Sequence, residues 1–315
     1  MLKLVRLAIV VLILVVLTQT LIQTSAQAQT APNIPITTIV TVLGPKFTEP
    51  PEITKHDLVV SSGKTRLDVI DWVLAQGQKG GLQLAILIDN SANVFGVGTQ
   101  LNEIADFIAH QPASTAIGVF YAVNGTVQVA APFSRNHDAV AKTLRVPQGP
   151  GVGSSPSVYL SLSDLINHHW KPTGGRREVL LISSGVDRMD RGPDSPYVQG
   201  AVEDAEKAGV EVHAIYTAGA SFDESMRGQF AQGNLVNLAE SSGGFNLFEG
   251  VSSPMTFSPY LGKLDMALRH QYRLTFAIEP SSKAKGELRA ITIRTEQHQV
   301  DLRYPKLVWV PGIVK

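Results

Sequence analysis

The chain has 315 residues, 44% hydrophobic and 17% charged, with 27 basic residues against 27 acidic ones. That length allows one full core and a smaller second one, and the even charge excludes a net field directed at nucleic acid or an anionic membrane. With no cysteine, disulfide frameworks, thiolate metal sites and cysteine nucleophiles are excluded too.

Lys3 and Arg6 precede an uninterrupted apolar run from Leu7 to Leu17, and Ala26-Gln27-Ala28 is a small-x-small cleavage pattern. Residues 1–28 therefore read as a signal peptide. Thr18, Gln19 and Thr20 interrupt the run short of the ~20 residues that span a bilayer. An uncleaved anchor is the alternative, because Leu21 and Ile22 resume the apolar character. The expected destination is periplasmic or secreted, with the mature chain starting near Gln29.

The β-branched stretch Ile36–Leu43 predicts a strand, and Gly44-Pro45 and Pro50-Pro51 break it. Asp57–Val60 and Thr65–Ile70 predict two more strands around the turn Ser61–Lys64. Together these make an N-terminal β unit over residues 34–75, followed by a Gly/Gln linker to Gly81. Leu82–Asp89 is a short apolar run ending on a carboxylate, the pattern of a strand buried on both faces of a parallel sheet. Leu101, Ile104, Ala105 and Ile108 recur at helical spacing, with Thr99 in a capping position. Ala116–Val123 and Thr126–Ala131 form a hairpin about Asn124-Gly125.

Further on, a helix is expected from Ser157 to Trp170, a second buried strand over Glu178–Ser183, and a helix from Val198 to Ala208 stopped by Gly209. Val210–Thr217 and Phe245–Phe248 read as strands, and Leu235–Ser241 and Tyr260–His270 as helices. Alternation over residues 82–270 predicts a doubly wound α/β domain with a mostly parallel, Rossmann-like sheet. Tyr272–Ile278, Leu288–Thr295 and Gln299–Tyr304 read as strands without helices between them. This C-terminal set, residues 271–310, is expected to pack with the N-terminal β unit, since chain ends usually lie close together.

In a doubly wound sheet, ligands bind beyond the carboxyl ends of the strands. Three polar loops converge there: Asp89-x-Ser91-x-Asn93, Gly153-Ser154-Ser155-Pro156 and Ser183-Ser184-Gly185. Their oxygen ligands suit a hard cation such as magnesium or calcium. The competing reading is that Asp89 and Ser91 make local caps for the loop and helix that follow. His168 and His169 are adjacent and point in different directions on a helix, which argues against a shared metal. Gly96-x-Gly98 lacks the third glycine of a dinucleotide loop, and no Gly-x-Ser-x-Gly, His-Glu-x-x-His or phosphate loop is present. A hydrolase built on Asp89 or Asp187 with Ser155 lacks a histidine base in these loops. The expectation is a protein that is not an enzyme. Asp187–Asp194 reads equally as a contact surface or a solvated loop.

The motifs Asp89-x-Ser91-x-Asn93, Gly153-Ser154-Ser155 and Leu180-Leu181-Ile182-Ser183-Ser184-Gly185 resemble the three loops of a von Willebrand factor A domain. Ile53–Val60 with Ser62-Gly63-Lys64, Ser242-Gly243-Gly244 and His270–Phe276 are similar to landmarks of the exported bacterial "VWFA-related" proteins, frequent in Acidobacteria. The resemblance covers most of residues 36–310. It implies a metal-ion-dependent adhesion site in which magnesium is held by Asp89, Ser91, Asn93, Ser155 and Ser184, with an acidic side chain of a protein partner as the last ligand. Two positions depart in kind: Asn93 replaces a serine, and Ser184 stands where that family has an aspartate, so the site is degenerate. The function implied is adhesion or protein interaction; an envelope-anchored assembly component using metal-independent contacts is the alternative.

Overall fold

A computed structural model describes residues 32–76, 80–91, 97–149, 156–170, 175–189, 195–218, 222–250 and 252–313, the side chains of 222–229 excepted. The expected signal peptide, Asn93, Ser154 and Ser155 lie outside these residues.

Three strands come first: β1 (Ile34–Leu43), β2 (Leu58–Ser62) and β3 (Thr65–Leu74). The α/β stretch then runs β4 (Leu82–Asp89), α1 (Leu101–His110), β5 (Ala116–Val123), β6 (Thr126–Ser134), α2 (His137–Ala141) and α3 (Val158–Asp164). It continues with a π turn at Leu165–His169, β7 (Arg176–Ser183), α4 (Pro196–Ala208), β8 (Val210–Tyr216), α5 (Phe222–Ser242) and α6 (Ser258–Arg269). The chain closes with β9 (Gln271–Ile278), β10 (Glu287–Ala290), β11 (Thr292–Thr295), β12 (Asp301–Arg303) and β13 (Leu307–Val310).

The central sheet has the order β6-β5-β4-β7-β8. β4 pairs in parallel with β5 and β7, β7 in parallel with β8, and β6 closes the edge antiparallel to β5. Leu84, Ile86 and Ile88 of β4 point into one apolar layer with Ile104 and Ile108 of α1 and Leu261 and Leu264 of α6. Ala85 and Leu87 point into the other, with Tyr159 and Leu162 of α3, Val198 and Val202 of α4 and Leu235 of α5. Burying one such aliphatic side chain is worth about 1.5–3 kcal/mol. A strand covered on both sides needs apolar residues in both parities, which is why β4 reads as an unbroken run. The fold is a doubly wound, mostly parallel α/β sheet, as its alternating pattern predicts.

The flanking strands form a β unit. One six-stranded sheet has the order β11-β2-β3-β9-β1-β12, and β10 pairs with β13. β9 lies antiparallel between β1 and β3, with Ile36 opposite Phe276 and Trp72 opposite Leu274. Val40, Val42, Leu274, Phe276 and Val308 fill its core, and Trp72 stacks on Tyr272 with centroids 4.4 Å apart.

Several elements differ from the sequence expectation. Leu288–Thr295 is two strands, because the chain changes sheets at the buried Ile291: β10 pairs with β13 and β11 with β2. Gln299 has φ 60°, which breaks the extended run expected from Gln299 to Tyr304 and leaves Asp301–Arg303. Phe245–Phe248 makes only a single bridge, Asn246 to Ala214, beside β8. The helix at Leu235–Ser241 is the end of the longer α5. Thr99 does not cap α1; its hydroxyl donates to the Gln100 side chain, and Gln100 occupies the cap position without a side-chain bond. α4 starts two residues early, because the Ser195 hydroxyl accepts from Tyr197 N–H and Pro196 suits the first helical turn.

Candidate functional site

From β4 the chain crosses to β5 on one side and later returns to β7 on the other. β4 is thus the topological switch point, and the crevice opens at its carboxyl end. Asp89 is the last residue of β4 and is only 2% exposed. Its Oδ1 accepts from the Ser91 backbone N–H at 2.9 Å and the Ser91 hydroxyl at 2.6 Å. Its Oδ2 accepts from the Ser183 hydroxyl, at the end of β7, at 2.7 Å. Both oxygens of a buried carboxylate are therefore satisfied by the protein itself, as burial demands. The first of these contacts is the local turn expected of an Asp-x-Ser sequence.

The β7 loop is fixed by its own contacts. Ser183 Oγ accepts from Gly185 N–H at 2.9 Å, and the buried Tyr159 hydroxyl donates to the Gly185 carbonyl at 2.8 Å. Gly185 has φ 68°, and a Cβ there would sit 2.6 Å from the Ala231 carbonyl oxygen, so both conformation and space require glycine. Ser184, where a second aspartate was expected from the resemblance, is 6% exposed, and its hydroxyl faces Val186 N–H at 3.4 Å. Asp187, the nearest other acid, is committed elsewhere: it accepts from Met189 N–H at 3.0 Å and from the Ser195 hydroxyl at 2.8 Å. Burial, and after it the charges of Asp187 and Asp89, push the Tyr159 phenol far up.

A neighbouring group was not visible in the sequence. Asn90 accepts from Arg145 Nη1 at 2.9 Å and from Gln148 N–H at 3.2 Å, and its carbonyl accepts from Gly149 N–H at 2.9 Å. Arg145 lies over the Tyr121 ring at 3.9 Å, and its backbone exchanges hydrogen bonds with the Tyr121 hydroxyl. These contacts pin segment 145–149 beside Asp89. An arginine between Leu144 and Val146 gives no sequence signal for such a contact.

Of the five positions implied as metal ligands, the structure brings Asp89 and Ser91 together and places Ser184 on the adjoining loop. Asn93 and Ser155 are outside the described residues. Among the described residues the converging donors are one carboxylate and the hydroxyls of Ser91 and Ser183. Magnesium sheds its water reluctantly and is bound through one or two carboxylates; this set offers one, and both its oxygens are already engaged by Ser91 and Ser183. His168 and His169 both contact Asp164, at 2.9 and 3.4 Å, away from these loops. A second titratable group, Glu178, Glu211 and His213, is buried in the sheet. Its sequence signal is polar residues inside the apolar runs of β7 and β8, which pattern reading passed over.

No family model matches the chain, and no curated protein matches it in sequence. Among solved structures the chain is similar to an aerotolerance-related membrane protein from Bacteroides fragilis, at 12% identity and TM-score 0.41, covering 60% of this chain and 98% of that one. It is similar to the SpRpn10 VWA domain at 15% identity and TM-score 0.41, covering 59% and 97%. It is also similar to proximal thread matrix protein 1 from the mussel byssus, a structure with a zinc-occupied MIDAS motif, at 16% identity and TM-score 0.46, covering 64% and 48%. The architecture stated above rests on the chain's own strands and helices. No described helix is long and apolar enough to cross a membrane.

Proposed function

We propose that this chain is an exported, non-catalytic protein-interaction module of the von Willebrand factor A type. It engages its partner through the loops at the carboxyl end of the central sheet and needs no metal ion to do so. The observation that carries the reading is where the exposed apolar side chains fall. Met255 is 95% exposed and Phe230 65%, with Met189 at 48% and Val146 at 42%. Each sits on a segment tied to the Asp89 edge. Val146 belongs to the segment held by Asn90, and Met189 follows Asp187. The Met255 carbonyl accepts from Gln100 at the start of α1, and Phe230 adjoins the Ala231 carbonyl that closes on Gly185. Ile70, Leu74, Val129 and Ile313 are also exposed, away from this edge, but the two most exposed large apolar side chains, Met255 and Phe230, belong to the edge group. Exposed apolar groups at a loop edge mark an interaction surface, and methionine adapts readily to a partner's shape.

The partner is accordingly a protein offering apolar surface. The test is a pull-down from an envelope extract with the mature chain as bait, with and without EDTA, beside a Met189→Asp/Met255→Asp variant. The expected result is a set of proteins retained by the wild type in either buffer and lost by the variant, whose melting temperature is unchanged. The same set retained by the variant, or lost with EDTA, would refute the reading.

A further inference from the structure

The end of the sheet opposite Asp89 holds a buried polar group that the proposed function does not use. Glu178 of β7 and Glu211 of β8 are register partners on neighbouring parallel strands, and His213 is opposite Leu180 on the same face. Their exposures are 0%, 1% and 0%, and one ligand atom from each lies within 4.8 Å of the others. Glu178 Oε2 accepts from His213 Nε2 at 2.6 Å, and Glu211 Oε2 accepts from Gln271 Nε2 at 2.9 Å. The two remaining oxygens, Glu178 Oε1 and Glu211 Oε1, are buried and have no hydrogen-bond partner among the described residues. Buried acceptors left so are costly, and two ionised carboxylates at this separation in a dry site would repel strongly.

The charge state follows from the neighbours. The backbone N–H of Phe245 donates to His213 Nδ1 at 3.2 Å. That nitrogen carries no proton, so the ring is neutral and its proton is on Nε2, facing Glu178. A metal ion on Nε2 would require both ring nitrogens to be deprotonated, which disfavours coordination there. Among the described residues Arg176 is the one permanent cation hydrogen-bonded within the group. Its Nε donates to the Gly80 carbonyl at 2.9 Å, and its Nη1 to the Leu268 carbonyl at 2.7 Å and to Gln271 Oε1 at 2.6 Å. On the adjoining turn of α6, Asp265 and Arg269 pair with each other at 2.7 Å. One cation and a neutral imidazole balance one carboxylate, not two.

We propose that the adjacent Glu178 and Glu211 carboxyls hold one proton between them, and that this proton makes the group a pH-sensitive tie between the central sheet and the β unit. Gln271, which links Arg176 to Glu211, is the first residue of β9, and β9 pairs with both β1 and β3. Loss of the proton puts a second negative charge in the group, beside the carboxylate that Gln271 holds. Burial first, and then the charge of Glu178, hold the Glu211 carboxyl well above its ordinary range. Arg176 and Glu211 also form part of the wall of a cleft of about 370 Å³. Because the carboxyl is raised in the folded state, the stability it contributes is complete at pH below the unfolded carboxyl's value. It is lost as pH rises, by about tenfold in the folding constant per pH unit, until the folded pair ionises.

The experiment is urea unfolding of the full chain from about pH 5 to about pH 9, for the wild type, Glu211→Gln, Glu178→Gln and the double variant. An amide at either position imitates the protonated acid and keeps the group neutral. Each single variant should therefore fold and lose up to the tenfold-per-unit decline seen in the wild type. The double variant leaves Arg176 without a counter-charge and should be less stable than either single. Glu206 titrates in the same direction in all four proteins and cancels in the comparison. Single variants that keep the full wild-type slope, or that fail to fold, would overturn the proposal. So would zinc or manganese raising the unfolding midpoint of the wild type but not of Glu211→Gln, since the occupant would then be a metal ion.

Discussion

Asp89→Ala separates a carboxylate held by the protein from one held by an ion. In the structure Asp89 accepts three hydrogen bonds, two from Ser91 and one from Ser183, and is 2% exposed. Hydrogen bonds to a charged group contribute about 1.5–3 kcal/mol each, against a desolvation cost of several kcal/mol for burying the charge. Truncation also strands the Ser183 hydroxyl's proton in a buried loop. We expect a net loss of about 2–4 kcal/mol, which for a chain of this size corresponds to a fall in Tm of roughly 3–7 °C. Calorimetry in EDTA reads it directly. Asp89→Asn, which keeps an acceptor for Ser91 and offers the Ser183 oxygen a donor, should lose about 1 kcal/mol. In a loop cluster built to surround a cation, a carboxylate stripped of its ion by EDTA is an uncompensated buried charge, and removing it would raise Tm. A Tm for Asp89→Ala at or above wild type in EDTA would therefore refute the account of a site closed by its own hydrogen bonds.

Two further outcomes follow from the same geometry. Ser184→Asp should restore the missing charge: Tm falls in EDTA, from like-charge repulsion with Asp89, and rises with magnesium or manganese, by about 2.7 kcal/mol of stability at a hundred times the dissociation constant. The wild type should not respond to either ion, and a variant equally unresponsive would show that Ser184 does not face Asp89. Glu206, on α4, is held up from 4.5 to about 7, by burial first and then by the charge of Glu203. Its folded value is raised, so its contribution is complete below pH 4.5 and lost as pH rises through about 7. Glu206→Gln should make the decline across that window shallower, leaving the part that Glu178 and Glu211 contribute, read by urea midpoints at several pH values; an unchanged profile would refute the assignment.

The fold was largely legible because its signals are local. The apolar run of β4, the Asn124-Gly125 turn with φ 49° and 80°, and the Gly209 stop at φ 61° each express one backbone requirement in one or two residues. Ser195 before Pro196 was an equally local cap, but the first apolar residue, Val198, drew the expected boundary inward. What was not legible depends on partners distant in sequence. Nothing within Leu288–Thr295 tells that its halves pair with different strands, since Leu288 meets Trp309 while Ile293 meets Val60. In the candidate site, Asp89 and Ser91 were readable because their contact spans two residues. The Ser183 hydroxyl on Asp89 spans 94, and Arg145 on Asn90 spans 55. The pairing of Glu178 with Glu211 likewise appears only when β7 and β8 are set in register.

The proposed function and the missing acid are connected physically. A buried carboxylate at a strand end must be compensated, either by an ion or by protein donors. A bound ion leaves the loops dependent on its supply, and their geometry shifts when it leaves. At Asp89 compensation comes from hydroxyls on both flanking segments, and the adjoining loop is further locked by Tyr159 on the Gly185 carbonyl and by a backbone conformation only glycine adopts comfortably. With serine at 184 there is no second charge to neutralise, so nothing in the described cluster calls for a cation. On this reading, the polar atoms beneath the edge are occupied in holding the loops, and the side chains left to meet a partner are the apolar ones, Val146, Met189 and Met255. Loops already fixed before encounter spare the partner much of the ordering entropy of binding. Under the proposed function, polar residues that resemble a ligand site serve as its scaffold, and recognition moves to the rim.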